Sequence, residues 1–189
     1  MVKKFGIAAL LAVSFCSSVF ASVSICEQFC HGRGYLGPTL LAQDISANQA
    51  SFRGLHGRAS LGYADWSNHY YMAAEVFYIP ATMTMSDTRG NANSPTAKAS
   101  NSLGASLLPG TFLYKKILGY LRLGLISSRF VAPNSMKLGA QLGFGLQTPL
   151  TSQFAVRGEY IYTGYGSVAK IGTPNSNELG LGFIYFFEN

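Results

Sequence analysis

Two cysteines and a histidine, Cys26, Cys30 and His31, fall together in the stretch SICEQFCHGRGYLG, with three residues between the cysteines. Such a group has three chemical readings: a metal clip, a haem tether or a local disulfide. Covalent haem attachment needs a C-x-x-C-H spacing, so that both thioethers and the axial histidine meet one porphyrin. The spacing here is one residue too long. Zinc needs a third and a fourth ligand, and the chain offers only His56 and His69 besides, with no second cysteine pair. The choice then rests on compartment. The chain opens on MVKKFGIAALLAVSFCSSVFAS, with Lys3 and Lys4, an apolar segment from Phe5 to about Phe15, and Val19 and Ala21 placed for cleavage after Ala21. That is the pattern of a secretory signal over residues 1–21. Its removal takes away Cys16 and leaves an even pair in an oxidising environment, so a Cys26–Cys30 disulfide is expected in an N-terminal segment, 22–33, on the periplasmic side. Neither a metal nor a cofactor is expected. Phe15 before Cys16 and Ile25 before Cys26 do not suit a lipoprotein signal.

A second candidate group is charged. Arg58, Glu75, Arg122, Arg157 and Glu159 each interrupt an apolar stretch, and charge is sparse in this chain, at 12% of residues. Guanidiniums and carboxylates on inward faces would form an ion-pair network, because the planar fork of arginine meets a carboxylate with two hydrogen bonds. Two carboxylates beside three guanidiniums stay ionised and occupied, which serves acid–base catalysis poorly. Acyl hydrolysis would need a nucleophile, a base and an orienting acid in reach of one another. His56 is followed by GRAS and His69 by YYM, and no G-x-S-x-G occurs, so no enzyme is expected and a lipid A-modifying hydrolase is the least favoured reading.

The elements that must carry these residues are short. Hydrophobic residues make up 48% of the chain, with 21 Gly, 11 Tyr and 13 Phe, yet Glu75 breaks YYMAAEVFYI and Arg122 breaks ILGYLRLGLI. No apolar run reaches the roughly 18 residues of a spanning helix. The apolar material instead alternates within segments of about ten residues, the mark of a transmembrane β-barrel. Eight segments can be drawn: 34–43, 53–63, 69–79, 102–112, 117–129, 137–148, 154–164 and 177–187. In the last, Leu179, Leu181, Phe183, Tyr185 and Phe187 share one face, and Glu178, Gly180 and Gly182 the other. The many glycines on the polar face suit a narrow lumen. Tyr35, Tyr63, Tyr70, Tyr71, Phe112, Tyr114, Tyr162 and Phe187 lie near segment ends, where an aromatic girdle would sit. The expected fold is therefore all-β, a closed eight-stranded antiparallel barrel over 34–189.

The connections suggest one orientation. ADWSN, LYKK and PLTSQ are short and would face the periplasm; LYKK carries Lys115 and Lys116 as solvated turn charges. DISANQAS, FVAPNSM, YGSVAKIGTPNS and the long, polar stretch 80–101 would face outward.

The stretches GYLGPTLLA, GRASLGYADWSNHYYMAAEVFY, LGASLLPGTFLYKKILGYLRLGLISSRF and VRGEYIYTGYG with LGLGFIYFF resemble the small outer-membrane β-barrel superfamily of Gram-negative bacteria. Its members include OmpA-barrel-like, OmpX-like and opacity-type surface proteins. The resemblance covers about residues 33–187, and it implies an outer-membrane location with adhesion, envelope integrity or host contact as common roles. Chains of that superfamily usually end on the terminal aromatic, whereas Glu188 and Asn189 follow Phe187 here.

Once Lys3 and Lys4 leave with the signal, 12 Lys and Arg face 8 Asp and Glu, a net charge of +4. A modestly basic surface could meet lipopolysaccharide phosphates through Arg129, Arg89, Lys98 and Lys170. No basic stripe interleaved with aromatics suggests nucleic acid. The expected function is a monomeric outer-membrane surface protein, structural, adhesive or host-interacting through its extracellular loops, with a narrow porin-like channel as the alternative. Its expected partners are outer-membrane lipids and lipopolysaccharide, the barrel-assembly machinery during insertion, and a host or cell-surface ligand.

Overall fold

The structure is a computed structural model, and it describes residues 32–47, 50–67, 70–80, 86–87, 99–114, 116–131, 134–166 and 173–188. The signal segment, Cys26, Cys30, His31, His69, Arg89, Lys98, Lys115 and Lys170 lie outside the described residues.

Alternating β-branched, aromatic and small residues build nine strands and no helix among the described residues: β1 (Arg33–Ala47), β2 (Ala50–Ser67), β3 (Tyr70–Ile79), β4 (Ser86–Asp87), β5 (Ala99–Tyr114), β6 (Ile117–Val131), β7 (Asn134–Pro149), β8 (Phe154–Tyr165) and β9 (Asn175–Phe186). Eight of them are the staves of a closed antiparallel barrel. Each pairs with its neighbour in the chain, and β1 completes the ring by pairing with both β2 and β9. Beyond the last ladder rung, Phe187 still donates its amide to Gly34 O at 2.9 Å. The two-residue β4 is no stave; it pairs with Phe52 and Arg53 of β2 beyond the end of β3.

The strands run further than the apolar alternation indicates. DISANQAS, expected as an outer loop, forms the two arms of a hairpin, since β1 reaches Ala47 and β2 begins at Ala50. FVAPNSM likewise contracts to residues 132–133 between β6 and β7. The apolar pattern marks only the stretch that lipid touches, about 9–11 residues per strand. A hydrogen-bond ladder, once in register, continues into water without needing apolar side chains. Strands of 15 to 18 residues, such as β1, β2 and β6, therefore extend beyond the apolar band.

Side chains alternate strictly between lumen and outer face. In β3 exposed and buried positions follow one another over all 10 residues. Outward positions carry Leu40, Leu61, Val76, Leu107, Leu123, Leu142, Leu179 and Phe183, each about half exposed. Two residues expected in the aromatic girdle do not belong to it. Tyr35 and Tyr71 are buried inside the barrel, at 0% and 3% exposure. Parity decides this: Tyr70 and Tyr71 are consecutive, so one of them must face in, and Tyr35 shares its face with Gly37 and Thr39. The remaining six of the expected girdle residues are exposed.

Inward glycines make room for these rings. A Cβ at Gly62 would run into the Tyr35 ring, and one at Gly145 into Tyr120. The outward Gly158 has nothing within 4 Å of such an atom. Gly145→Leu is expected to displace Tyr120 and lower the urea midpoint of the barrel, whereas Gly158→Leu should leave it and the heat-modifiable gel shift unchanged. Unfolding of both variants in lipid vesicles checks the contrast.

Candidate functional site

The lumen is filled in tiers. At the end that holds both strand termini, Tyr35, Ala64, Leu108, Leu118, Ala155, Ile184 and their neighbours form an apolar cluster. Above it lies the charged tier. β2 supplies Arg58, β3 Glu75, β6 Arg122, and β8 both Arg157 and Glu159, all at 3% exposure or less. Inward parity aims each side chain at the axis, and closure brings together residues far apart in the chain, Glu75 with Arg157 and Arg58 with Glu159.

Arg122 is the hub. Its Nη2 donates to Glu75 Oε1 at 2.6 Å, its Nε to Glu159 Oε2 at 3.1 Å, and its Nη1 to Ser106 Oγ at 2.8 Å. Arg157 Nη1 donates to the other Glu75 oxygen at 2.7 Å, and its Nε and Nη2 both reach Gln147 Oε1. Arg58 Nη2 meets Glu159 Oε1. Thus each carboxylate bridges two guanidiniums. Tyr35 donates to Glu75 Oε2 at 2.9 Å and Tyr120 to Glu159 Oε2 at 3.2 Å. Aromatic faces cover what the carboxylates leave open: Phe77 lies beside Arg58 and Arg122, and Arg157 sits between Tyr35 and Tyr120, all 5.2–5.7 Å from ring centroids.

Inward parity is visible in the sequence for all five charges, while Ser106, Tyr120, Gln147 and Phe77 are not singled out there and Tyr35 is assigned to the girdle. The signal was present in their spacing, since each is inward on its own strand. Glu178 was placed on the inward face but outside the network. It occupies a further tier toward the loop end, where Gln43 Nε2 donates to both Glu178 Oε1 and Ser176 Oγ at 2.8 Å. There the polar groups are less completely paired. Both nitrogens of His56, Glu178 Oε2 and the Nε and Nη1 of Arg58 are buried without a hydrogen-bond partner among the described residues.

In the charged tier three guanidiniums are paired with two carboxylates, all of them buried. Ser60, the serine following His56 in the sequence, donates to Gly37 O at 2.8 Å. No group of three or more His, Cys, Asp or Glu side chains among the described residues could hold a metal ion. Ion pairs in this setting resist unfolding mainly through the cost of leaving a charge unpaired. Arg122→Ala strands two carboxylates and is expected to destabilise the barrel by about 3–5 kcal/mol. Arg53→Ala, which removes an exposed pair with Asp44, should cost about 0–1 kcal/mol. Urea unfolding in vesicles, with both variants side by side, measures the difference.

The chain matches the model of the outer membrane protein β-barrel domain over residues 7–187. Comparison with curated protein sequences gives no match. Among solved structures, Neisserial surface protein A (NspA) is similar with a TM-score of 0.54 at 20% identity, covering 82% of this chain and 97% of that one. Ail, the attachment invasion locus protein of Yersinia pestis, in complex with the heparin analogue sucrose octasulfate, gives a TM-score of 0.51 at 13% identity, covering 82% and 99%. At these identities the likeness is one of fold.

Proposed function

The chain belongs to the outer membrane protein β-barrel domain family, and from that premise we propose that it serves as a closed platform whose structural, adhesive or host-contact role lies in the connections at its loop end. The observation that carries this reading is the occupied lumen. The barrel interior is taken up by an apolar cluster and by Arg58, Glu75, Arg122, Arg157 and Glu159, all bound to one another. With the interior so engaged, the surfaces left for function are the outer face and the two ends. At the end with the strand termini the connections are short, such as the one between Pro149 and Phe154. The opposite end has the longest connections, 80–98 and 166–174.

The protein resides in the outer membrane as a β-barrel. Export by a signal cleaved after Ala21, insertion by the barrel-assembly machinery, the Cys26–Cys30 disulfide, a monomeric state and contact with lipopolysaccharide belong to the proposal. So does the orientation, with the loop end outside the cell. The reading assigns no catalytic residue and no nucleic-acid partner.

A narrow conduit is the second reading. It is favoured by the unpaired nitrogens of Arg58, which is held by one carboxylate where Arg122 and Arg157 have several partners. Planar bilayers separate the two. The platform reading expects the refolded barrel to be silent; stable single-channel steps, enlarged in Arg122→Ala, would establish the conduit instead. For the contact role, replacing residues 88–98 by a short Gly-Ser linker should preserve the heat-modifiable gel shift and abolish adhesion of cells displaying the protein. Unchanged adhesion would remove the assignment.

A further inference from the structure

Small residues interrupt the outer face where five consecutive staves, β7, β8, β9, β1 and β2, run side by side. The ladder aligns their outward residues in rows. One row reads Leu146, Gly158, Leu181, Leu40 and Gly57; the next toward the loop end reads Phe144, Tyr160, Leu179, Ala42 and Leu55. A Cβ at either Gly57 or Gly158 would meet nothing within 4 Å. The bare backbone leaves a hollow of about 660 Å³ walled by Leu40, Leu55, Phe144, Tyr160, Leu179 and Leu181. A second hollow of about 520 Å³ continues it toward the loop end and shares Ala42, Leu55, Tyr160 and Leu179 with it.

The upper hollow ends on hydrogen-bond donors. In the next row the outward residues are Leu142, Tyr162, Asn177, Asp44 and Arg53. The Arg53 side chain is 71% exposed and donates its Nε to Asp44 Oδ2 at 2.9 Å. That bond uses one edge of the guanidinium and leaves the edge between its two terminal nitrogens for an anion. Tyr160 donates to Asn177 Oδ1 at 2.6 Å, which leaves the Asn177 amide nitrogen as a second donor. Four residues separate the Arg53 row from the Gly57 row, roughly 13 Å along a strand. A groove of that length takes the upper part of an acyl chain whose polar end lies at the donors.

We propose that this groove seats one acyl chain of lipid A, with a lipid A phosphate on Arg53. The seat rests on the reading that the loop end faces outward and touches lipopolysaccharide, and it assigns that contact to named residues. Leaflet and charge select the occupant together. With the loop end outside, the Arg53 row lies in the leaflet built from lipopolysaccharide, whose anchor bears its phosphates on a sugar. The terminal fork of Arg53 matches a phosphate, and a phosphate monoester carries up to two charges against the single charge of a phospholipid diester. Asp44 binds no ligand; its part is to orient Arg53. The Asn177 amide donates to an acyl carbonyl or a sugar hydroxyl. An acyl chain already in lipid gains no hydrophobic term on entering the groove. It gains packing over Gly158 and Gly57, and the donors at the rim choose the headgroup.

The test uses the full chain, folded and purified in mild detergent, with native mass spectrometry to count bound lipids. Lipid A, lipid A stripped of its phosphates, and phosphatidylglycerol are offered at equal concentration. One lipid A per chain is expected, held about fivefold more tightly than the stripped form, the scale of one exposed ion pair. Gly158→Leu should abolish that bound lipid, and Arg53→Ala should erase the difference between intact and stripped lipid A, with the gel shift intact in both. Gly57→Leu serves equally if Gly158→Leu fails to fold. Lipid A held as before in the glycine variants would overturn the seat and leave the lipopolysaccharide contact to other residues. Phosphatidylglycerol held as tightly as lipid A, or an unchanged preference in Arg53→Ala, would overturn it as well. An unaltered chain that binds no lipid A would remove the contact itself along with the seat.

Discussion

In hydrocarbon an unpaired backbone amide or carbonyl costs several kcal/mol, so a sheet in lipid must have no free edge. The ladder between β1 and β9 is where this chain meets that demand. It joins the first stave to the last across most of the sequence, from Tyr35 with Phe186 to Ser46 with Asn175. Without it both terminal staves would present open edges to lipid. Everything else in the architecture follows from the ring it closes: strict alternation, an apolar exterior and an interior sealed from lipid.

Closure with eight staves fixes the width of the interior, and the interior then fixes the chemistry. Such a lumen is just wide enough for side chains to fill. Large groups must be matched by small ones across the ring, and the pairs Tyr35 with Gly62 and Tyr120 with Gly145 do so. Buried polar groups cost free energy unless they are paired, and those of Glu75, Arg122 and Arg157 find partners inside. The two carboxylates each serve two guanidiniums and a tyrosine hydroxyl, and the guanidinium faces rest on aromatic rings. Ion pairs of this kind are weak evidence for net stability against an apolar core, yet they are costly to break singly. They therefore tie β2, β3, β6 and β8 to one arrangement.

Much of this was legible in the residues, for a physical reason. Period-two alternation is imposed by the backbone and survives in sequence, so the inward faces of Arg58, Glu75, Arg122, Arg157 and Glu159 could be read one strand at a time. What alternation cannot convey is where a strand ends once lipid no longer selects its side chains. Asp44, Ser46 and Ser51 look like loop and are ladder. Composition near an end also misleads when parity is ignored, as Tyr35 and Tyr71 show. Partners across the ring, such as Glu75 with Arg157, follow from closure and register, which no single segment contains. The polar face of Glu178 is likewise visible in its segment, but the incomplete pairing around it is a property of the assembled tier.

A closed platform requires that the charged tier exclude water within the membrane. The most direct measurement is the exchange of the guanidinium Nε–H protons of Arg122 and Arg157 with solvent, followed by NMR on the barrel in lipid nanodiscs. Both donate inside the lumen, to Glu159 Oε2 and Gln147 Oε1 respectively. The closed tier predicts two resolved signals that exchange orders of magnitude more slowly than that of the exposed Arg53. Exchange of Arg122 and Arg157 as fast as that of Arg53 would mean that water runs through the barrel and that the tier is not closed.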